Sequence, residues 1–157
     1  MGFLNSINII GSGFTAQQLR LDVVAENVTN SQTTRTETGE GAYRRKMVVF
    51  EAVSGKDSFR DAMAKAANGL IPNTATGVLP NAGGVRVTEI VEDQSPMKMV
   101  YDPTHPDADE NGYLEMPNVD MVKEIADAMA ATQAYSSNVT MFNTMKTVVT
   151  DALQIGK

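Results

Sequence analysis

The first candidate for chemistry is a pair of closely spaced glycines near the N-terminus. Gly11 and Gly13 follow the apolar run 7–10 and precede Ala16, which gives the pattern G-x-G-x-x-A. In dinucleotide-binding proteins this pattern joins a strand to a helix and holds a pyrophosphate, and a second strand follows. Residues 27–42 contain no apolar run that could form that strand. The sequence therefore favours two small residues inside a helix, which cost roughly 1–2 kcal/mol relative to alanine.

A second candidate is an acidic turn whose letters match the beginning of a calcium-binding loop. Residues 107–112 follow the pattern D-x-D-x-N-G. A complete loop of this kind needs a bidentate glutamate at its twelfth position, which is Asn118 here, directly after Pro117. The sequence therefore predicts an acidic turn in which Asp and Asn side chains accept hydrogen bonds from nearby backbone N–H groups.

The single histidine, His105, is a third candidate. A catalytic triad would need a nucleophile elbow, and a histidine metal pair would need a second histidine; the chain has neither G-x-S-x-G nor another histidine. Because His105 lies between Pro103 and Pro106, we expect it to stabilise a turn through a hydrogen bond. We predict no enzymatic activity, no metal and no cofactor for this chain.

Composition excludes further classes of function. The formal net charge is −6, and residues 43–46 form the one basic cluster, so a nucleic-acid partner is not expected. The absence of cysteine excludes disulfides and thiolate chemistry. No apolar run approaches the length of a membrane span, and no basic segment precedes Arg20, so we expect neither a membrane span nor a cleaved signal peptide.

Two long segments with heptad spacing must position any functional surface. In residues 3–30 and in the segment after Pro117, apolar residues recur at alternating steps of four and three. This spacing predicts two helices, about 42 and 55 Å long, each typical of a coiled coil or a bundle arm. A second stripe on the later helix consists of Met141, Met145, Val148, Ala152 and Ile155. The two seams consist of Phe3, Ile7, Ile10, Phe14, Leu21, Val24 and Val28 on the first helix, and Ile125, Tyr135, Val139, Phe142, Val149 and Leu153 on the second.

The outer faces of both predicted helices are unusually neutral. Residues 128–145 contain no charged side chain, and residues 3–30 contain only Arg20, Asp22 and Glu26. A solvated surface helix normally carries charges opposite its apolar stripe. We therefore expect both helices to pack on several sides within an assembly. A two-helix hairpin with a merely neutral surface remains the alternative.

The middle of the chain has a different character. Segments 46–53, 85–92 and 97–101 are predicted strands, segment 57–68 a short helix and segment 69–84 a loop. The expected fold is α+β, with long N- and C-terminal helices and a small β-rich middle domain. The expected divisions are an N-terminal arm over 1–30, a middle domain over 31–117 with an irregular insertion at 54–84, and a C-terminal arm over 118–157.

Several motifs resemble the bacterial flagellar rod and hook protein family. Residues 18–30, QLRLDVVAENVTN, resemble its N-terminal signature, in which a heptad helix ends in an Asn-x-x-Asn turn. Within that family, the proximal-rod proteins resemble this chain most closely over roughly residues 5–53 and 85–157, where the motifs occur in the same order. Residues 54–84 match no part of the family pattern. The signature residues are Asn27, Asn30, Tyr101, Asp102, Pro103, His105, Pro106, Asp107, Pro117 and Asn118.

The resemblance implies a structural protein of the flagellar basal body. Members are exported uncleaved through the flagellar type III secretion channel and assemble into the rod, the axial tube that carries motor torque to the hook. Their terminal helices pair as a coiled coil lining the tube, and the middle segment faces outward. The implied partners are other copies of the chain, other rod proteins, the basal-body ring and rod-adaptor protein, and the export apparatus. The implied location is the basal body, in the periplasm or the cell-wall zone.

Overall fold

The computed structural model of this 157-residue chain describes residues 3–36, 41–54 and 82–155. Within them, two long helices flank four strands, so the predicted α+β class is confirmed. The predicted helix over 57–68 and most of the predicted insertion at 54–84 lie outside the described residues. The elements in chain order are α1 Phe3–Thr29, β1 Lys46–Ser54, β2 Ala82–Glu92, β3 Lys98–Tyr101, β4 Tyr113–Met116 and α2 Met121–Ile155.

Side chains of the expected types define the ends of the two helices. At the end of α1, both the backbone N–H and the side-chain amide of Asn30 donate to the carbonyl of Glu26, each at 3.0 Å, so one of the last free carbonyls of the helix is satisfied. At the start of α2, Asp120 Oδ1 accepts the N–H of Val122 at 3.1 Å, which is an N-cap contact. Asp120 therefore caps α2, and Asn118, two residues earlier, has another role described below.

The two helices pack side by side in opposite directions. The ring centroids of Phe14 and Tyr135 lie 5.1 Å apart. Further along the pair, Arg20 forms an ion pair with Asp127, and Asn27 donates a hydrogen bond to Glu124. In each of these contacts the number of the α1 residue and the number of the α2 residue add up to about 150, as expected for antiparallel helices in one register. Because α1 begins at Phe3, the last two turns of α2 extend beyond the first residue of α1.

The larger sheet is a two-stranded antiparallel hairpin that packs against α1. Strands β1 and β2 pair in a register that sets Lys46 opposite Glu92, with irregularities after Val49 and after Ala52. Both strands were predicted, but β2 begins at Ala82, so the predicted loop over 69–84 was wrong for its last residues. The reason is a tertiary contact: Ser12 on α1 donates from its hydroxyl to the carbonyl of Ile9 and accepts the N–H of Val85 at 3.1 Å.

The smaller sheet pairs β3 with β4 in the antiparallel sense, from Lys98 opposite Met116 to Tyr101 opposite Tyr113. Strand β3 was predicted and β4 was not. Only four residues long, β4 has a short alternating pattern in which Leu114 is buried and its neighbours on both sides are exposed. A run of that length gives too little periodicity to be recognised before its partner strand is known.

Candidate assembly surface and the polar junction

A buried polar network joins the two helices to the larger sheet. We call Asn27, Tyr43, Arg45, Asn118 and Glu124 the polar junction. Its centre is Asn27, which is 1% exposed. The Asn27 amide donates to Glu124 Oε2 at 3.0 Å and to the Lys46 carbonyl at 2.9 Å, and its oxygen accepts the Tyr43 hydroxyl and the Lys46 N–H, both at 2.9 Å. Both donors and both acceptor positions of this amide are therefore satisfied.

Glu124 supplies the buried charge of the polar junction. Its side chain is fully buried, and Oε1 accepts a hydrogen bond from Arg45 Nε at 2.6 Å. Arg45 also lies 3.8 Å from the carboxylate of Asp93. A buried carboxylate is tolerated only when it is paired and hydrogen-bonded, and here the α1 amide and the β1-adjacent guanidinium satisfy one oxygen each.

Asn118 connects the start of α2 to the chain on either side of the larger sheet. Its Oδ1 accepts the backbone N–H of Arg45 at 2.8 Å, and its Nδ2 donates to the carbonyls of Asp93 and Ser95 at 3.0 and 3.2 Å. The preceding Pro117 is fully buried. Together these contacts hold the first turn of α2 at one position against β1 and the segment after β2.

Tyr43 completes the polar junction as a neutral donor. Burial of the phenol, reinforced by the nearby carboxylates of Glu26, Glu124 and Glu92, raises the pKa of Tyr43 well above its ordinary value. The hydroxyl therefore keeps its proton at neutral pH and continues to donate to Asn27. Ionisation of this phenol would place a second negative charge beside the buried Glu124.

The acidic turn between β3 and β4 is held by its own side chains, as predicted. The Asp107 N–H donates to His105 Nδ1 at 3.2 Å, which confirms the predicted turn-stabilising hydrogen bond. Asp109 Oδ1 accepts the N–H groups of Asn111 and Tyr113 at 2.9 and 2.8 Å. Among the residues that the structure describes, no group of three or more acidic or histidine side chains is arranged to hold a metal ion.

The same turn is attached to the segment after α1. Thr34 and Arg35 donate to the two carboxylate oxygens of Asp107 at 2.8 and 2.7 Å. The remaining signature residues surround this attachment. The Thr104 hydroxyl donates to Asp102 at 2.7 Å and lowers the pKa of that carboxyl. The signature residues Tyr101, Pro103 and Pro106 are exposed.

The predicted seam of α1 lies on the side that faces the rest of the molecule. Val24 is buried, and Phe14 lies with its ring edge toward both Tyr135 and Phe142, at centroid distances of 5.1 and 6.4 Å. The side chain of Phe3 is not among those described. The other members of the α1 seam are half-buried: Ile7, Ile10, Leu21 and Val28.

The predicted seam of α2 is largely open in the isolated chain. The centre of its contact with α1 is Ala131, which is fully buried, while Ile125 and Leu153 are 52% and 69% exposed. Val149 is half-buried, and three further seam residues are 36–40% exposed: Tyr135, Val139 and Phe142. Ala131 and the rings of Tyr135 and Phe142 therefore lie toward α1, whereas Ile125 and Leu153 remain mostly exposed.

Outward-facing apolar side chains continue along the whole of α2. Outside the predicted seam, the most exposed are Val122, Met129, Met141 and Val148, at 76%, 69%, 55% and 55%. An apolar surface of this extent on a soluble protein usually marks a contact with another protein. We call this outward-facing surface of α2 the candidate assembly surface. No helix in the described part of the chain is both long and apolar enough to cross a membrane.

Most residues of the polar junction were not predicted as a site. Asn27 and Asn118 were recognised as family-signature residues, but the sequence did not indicate that they share Tyr43, Arg45 and Glu124 as partners. The sequence offered no signal for the burial of Glu124, because a carboxylate in the first turn of a helix is favourable there without any tertiary partner. Its burial follows from the chain path around β1 and not from any local pattern.

Comparison with known proteins agrees with these features. The protein-family model described as "Flagellar basal body rod FlgEFG protein C-terminal" matches residues 110–155. The flagellar basal-body rod protein FlgC of Bacillus subtilis is 42% identical to the chain over 161 residues, and each protein is covered completely. The FlgC proteins of Borreliella burgdorferi and Salmonella typhimurium are each 38% identical, over 99% and 100% of this chain and 98% and 100% of their own lengths. The chain therefore belongs to the FlgC family of flagellar basal-body rod proteins.

Proposed function

We propose that the chain is a structural component of the proximal rod of the bacterial flagellar basal body. The observation that carries this proposal is similarity over 99–100% of the chain to the FlgC rod proteins of Bacillus subtilis, Borreliella burgdorferi and Salmonella typhimurium, at 38–42% identity. These relatives are flagellar basal-body rod proteins, which agrees with the predicted absence of enzymatic activity. The described residues also offer a physical basis for assembly, namely the candidate assembly surface on α2.

In this proposal, α1 and α2 pair as an antiparallel coiled coil whose seams are completed in the rod. The isolated chain leaves Ile125, Val139 and Leu153 between 37% and 69% exposed. Complete burial of a side chain of this size stabilises a protein by roughly 1.5–3 kcal/mol. Neighbouring subunits that cover several such residues would therefore supply much of the free energy of assembly.

The rod that forms from these subunits is an axial drive shaft and an export channel. A head-to-tail contact that does not close on itself generates a helical filament, which suits a tube built from many copies. The helix pair lines that tube and the middle region over 31–117 faces outward. The uncharged stretch 128–145 of α2 suits a channel wall past which unfolded polypeptide must slide, because fixed charges would retain it.

The polar junction has a mechanical role in this proposal. To transmit torque, the helix pair and the outward-facing sheets must keep a fixed orientation relative to each other. Buried hydrogen bonds from Asn27 and Asn118 connect α1, β1 and α2 at one point, and Arg45 and Glu124 reinforce it with an ion pair. The partners are other copies of the chain, other rod proteins, the basal-body ring and rod-adaptor protein, and the export apparatus.

Deletion of the gene tests the proposed function. We expect cells without this chain to retain the membrane-embedded ring and to lack rod, hook and filament when basal bodies are viewed by electron microscopy. Expression of the intact chain in trans restores all three. Hooks and filaments of normal number in the deletion strain would contradict the proposed function.

A further inference from the structure

The two glycines that open the sequence have different surroundings in the structure. A Cβ atom added to Gly13 would lie 2.9 Å from Asn138 Nδ2, so this glycine is explained by close packing of α2 on α1. A Cβ atom added to Gly11 would meet no atom of the described chain within 4 Å. Glycine in a helix interior is less favourable than alanine. The packing among the described residues therefore gives no reason for Gly11.

Gly11 lies in the middle of an exposed face of α1. Asn8, Gly11, Thr15 and Gln18 are all exposed and occur at alternating steps of three and four, so they form one stripe along the helix. None of them is charged. The next member, Asp22, accepts a hydrogen bond from Gln18 Nε2 at 3.0 Å. This stripe is the outer face of α1.

The second apolar stripe of α2 has the matching spacing. Met141 and Val148 are each 55% exposed and lie seven residues apart, as do Gly11 and Gln18 on α1. Val148 is also close to the point where α2 extends past the first residue of α1. The second stripe of α2 thus continues into a part of α2 that α1 of the same chain does not reach.

We propose that the outer face of α1, centred on Gly11, receives the second stripe of α2 from another copy of this chain. This inference rests on the proposed rod function. In this contact, Gly11 on α1 of one copy lies opposite Val148 on α2 of the other, and Gln18 lies opposite Met141. The residue numbers of each such pair add up to 159. The pairs within one chain sum to about 150, so the second copy is displaced by about nine residues, roughly 13 Å along the helix axis. This displacement makes the contact head-to-tail and open-ended.

Charge favours this occupant over the sheet surface of another copy. Opposing stripes without charge can be dehydrated without leaving an ion unpaired, which would be costly. The exposed face of the larger sheet, by contrast, carries an ion pair between Arg86 and Glu51, whose side chains are 61% and 52% exposed. The bare backbone at Gly11 gives the Val148 side chain the space that any other residue would fill.

Substitutions of graded size at Gly11 test the contact. Gly11→Ala and Gly11→Leu should leave the heat-unfolding midpoint of the purified monomer unchanged or higher, because the position is open and both residues favour helix. In cells, Gly11→Leu should reduce the number of hook-bearing basal bodies at least tenfold, and Gly11→Ala should reduce it less. Val148→Ala in the same chain should restore assembly of Gly11→Leu, because it returns the lost space. Normal assembly of Gly11→Leu would overturn the inference.

Disulfide formation between copies gives a second, independent test, since the chain has no cysteine of its own. One chain carrying Gly11→Cys and another carrying Val148→Cys are expressed in the same deletion strain, and its basal bodies are oxidised. We expect a dimer band only when both chains are present, because a disulfide requires Cα atoms within about 7 Å. Gly11→Cys paired with Asn111→Cys, which lies in the exposed acidic turn, is the matched control.

The outcomes separate this inference from the proposed function. Hook-bearing basal bodies without the dimer band would overturn the contact and leave the rod function intact. A cross-linked product containing a different protein would also overturn it, because the occupant would not be a second copy. Failure of the unsubstituted chain to restore hooks would contradict the rod function itself. If either cysteine prevents assembly, Asn8→Cys with Ala152→Cys tests the next pair of the same register.

Discussion

Asn27 shows how one side chain can hold three parts of this fold together. Its amide contacts α2 through Glu124, β1 through the backbone of Lys46, and the preceding loop through Tyr43. An aspartate of the same shape would lose two donors and bring a second negative charge to Glu124. The residue type at this position is therefore determined by hydrogen-bond chemistry and not by size.

The buried ion pair of the polar junction gives the first prediction. Glu124→Ala should lower the free energy of unfolding by about 3–5 kcal/mol, because it removes the buried carboxylate to which both Arg45 and Asn27 donate. Glu51→Ala is the matched control, since its pair with Arg86 is more than half exposed and should be worth at most about 1 kcal/mol. Urea unfolding of the purified monomer measures both. Equal effects of the two substitutions would contradict the role given to Glu124.

Alkaline pH provides the second prediction at the residue scale. The folded state raises the pKa of Tyr43, so the unfolded chain releases this proton near pH 10 while the folded chain retains it. The contribution of this phenol to stability is therefore complete below about pH 10 and is lost as the pH rises toward the folded pKa. Tyr43→Phe should make the stability fall less steeply between about pH 10 and 11.5. A fall of unchanged steepness in Tyr43→Phe would show that the phenol is not the group responsible.

At the scale of elements, the contact of β2 with α1 depends on a glycine. Gly84 has a positive φ of 78°, and a Cβ atom there would lie 2.2 Å from the Ser12 hydroxyl. Gly41 has a φ of 101° and no atom within 4 Å of its own added Cβ. Both positions penalise alanine through backbone strain, and only Gly84 adds a steric clash. A comparison of alanine substitutions at Gly41 and Gly84 therefore separates the free-energy cost of backbone strain from that of the steric clash.

We predict that Gly84→Ala destabilises the monomer by about 1–3 kcal/mol more than Gly41→Ala does, which is the usual cost of overpacking. Urea unfolding of both variants gives the difference directly. Ser12→Ala combined with Gly84→Ala should recover part of the loss, because it removes the hydroxyl that clashes. Identical stabilities for the two alanine variants would mean that β2 does not rest on α1 at Ser12.

The elements with long periodicity were those that the sequence could predict. Heptad spacing identified α1 and α2 to within two residues of their ends, and runs of β-branched residues identified β1 and most of β2. The start of β2 at Ala82 was missed because its two glycines have no strand preference of their own and are ordered by contact with α1. The predicted α2 seam includes Tyr135 and Phe142, whose rings lie beside Phe14, and Ile125, which is 52% exposed in the single chain. The burial of Glu124 was not predicted, because it depends on partners from α1 and from the residue before β1.

At the scale of the whole molecule, α2 leaves several large apolar side chains on the outside. A two-helix hairpin that functioned alone would bury Ile125 and Met129 and expose alanines, whereas the structure exposes these two residues by 52% and 69% and buries Ala131 completely. Such an arrangement is expected of a subunit whose folding is completed by its neighbours. The neutral composition of residues 128–145 already pointed to this, although the sequence could not say which face of α2 would remain open.

Substitutions at Val139 distinguish an effect on the stability of the monomer from an effect on assembly. Val139 is 37% exposed in the isolated chain, so a charge at this position can still reach water. We predict that Val139→Asp lowers the free energy of unfolding of the monomer by only about 1–2 kcal/mol, within the usual range for single substitutions. Val139→Thr, which keeps the β-branched shape without a charge, is the control. Circular dichroism and urea unfolding of the purified monomers check that both variants remain folded.

The number of hook-bearing basal bodies in cells that carry Val139→Asp as their only copy tests the account most directly. The account predicts that Val139→Asp cells make the protein at normal levels but have no rods or hooks, because a buried unpaired charge cannot be accommodated between subunits. Val139→Thr cells should have hooks in normal number. Normal hook-bearing basal bodies in the Val139→Asp strain would contradict the claim that the outward surface of α2 builds the rod.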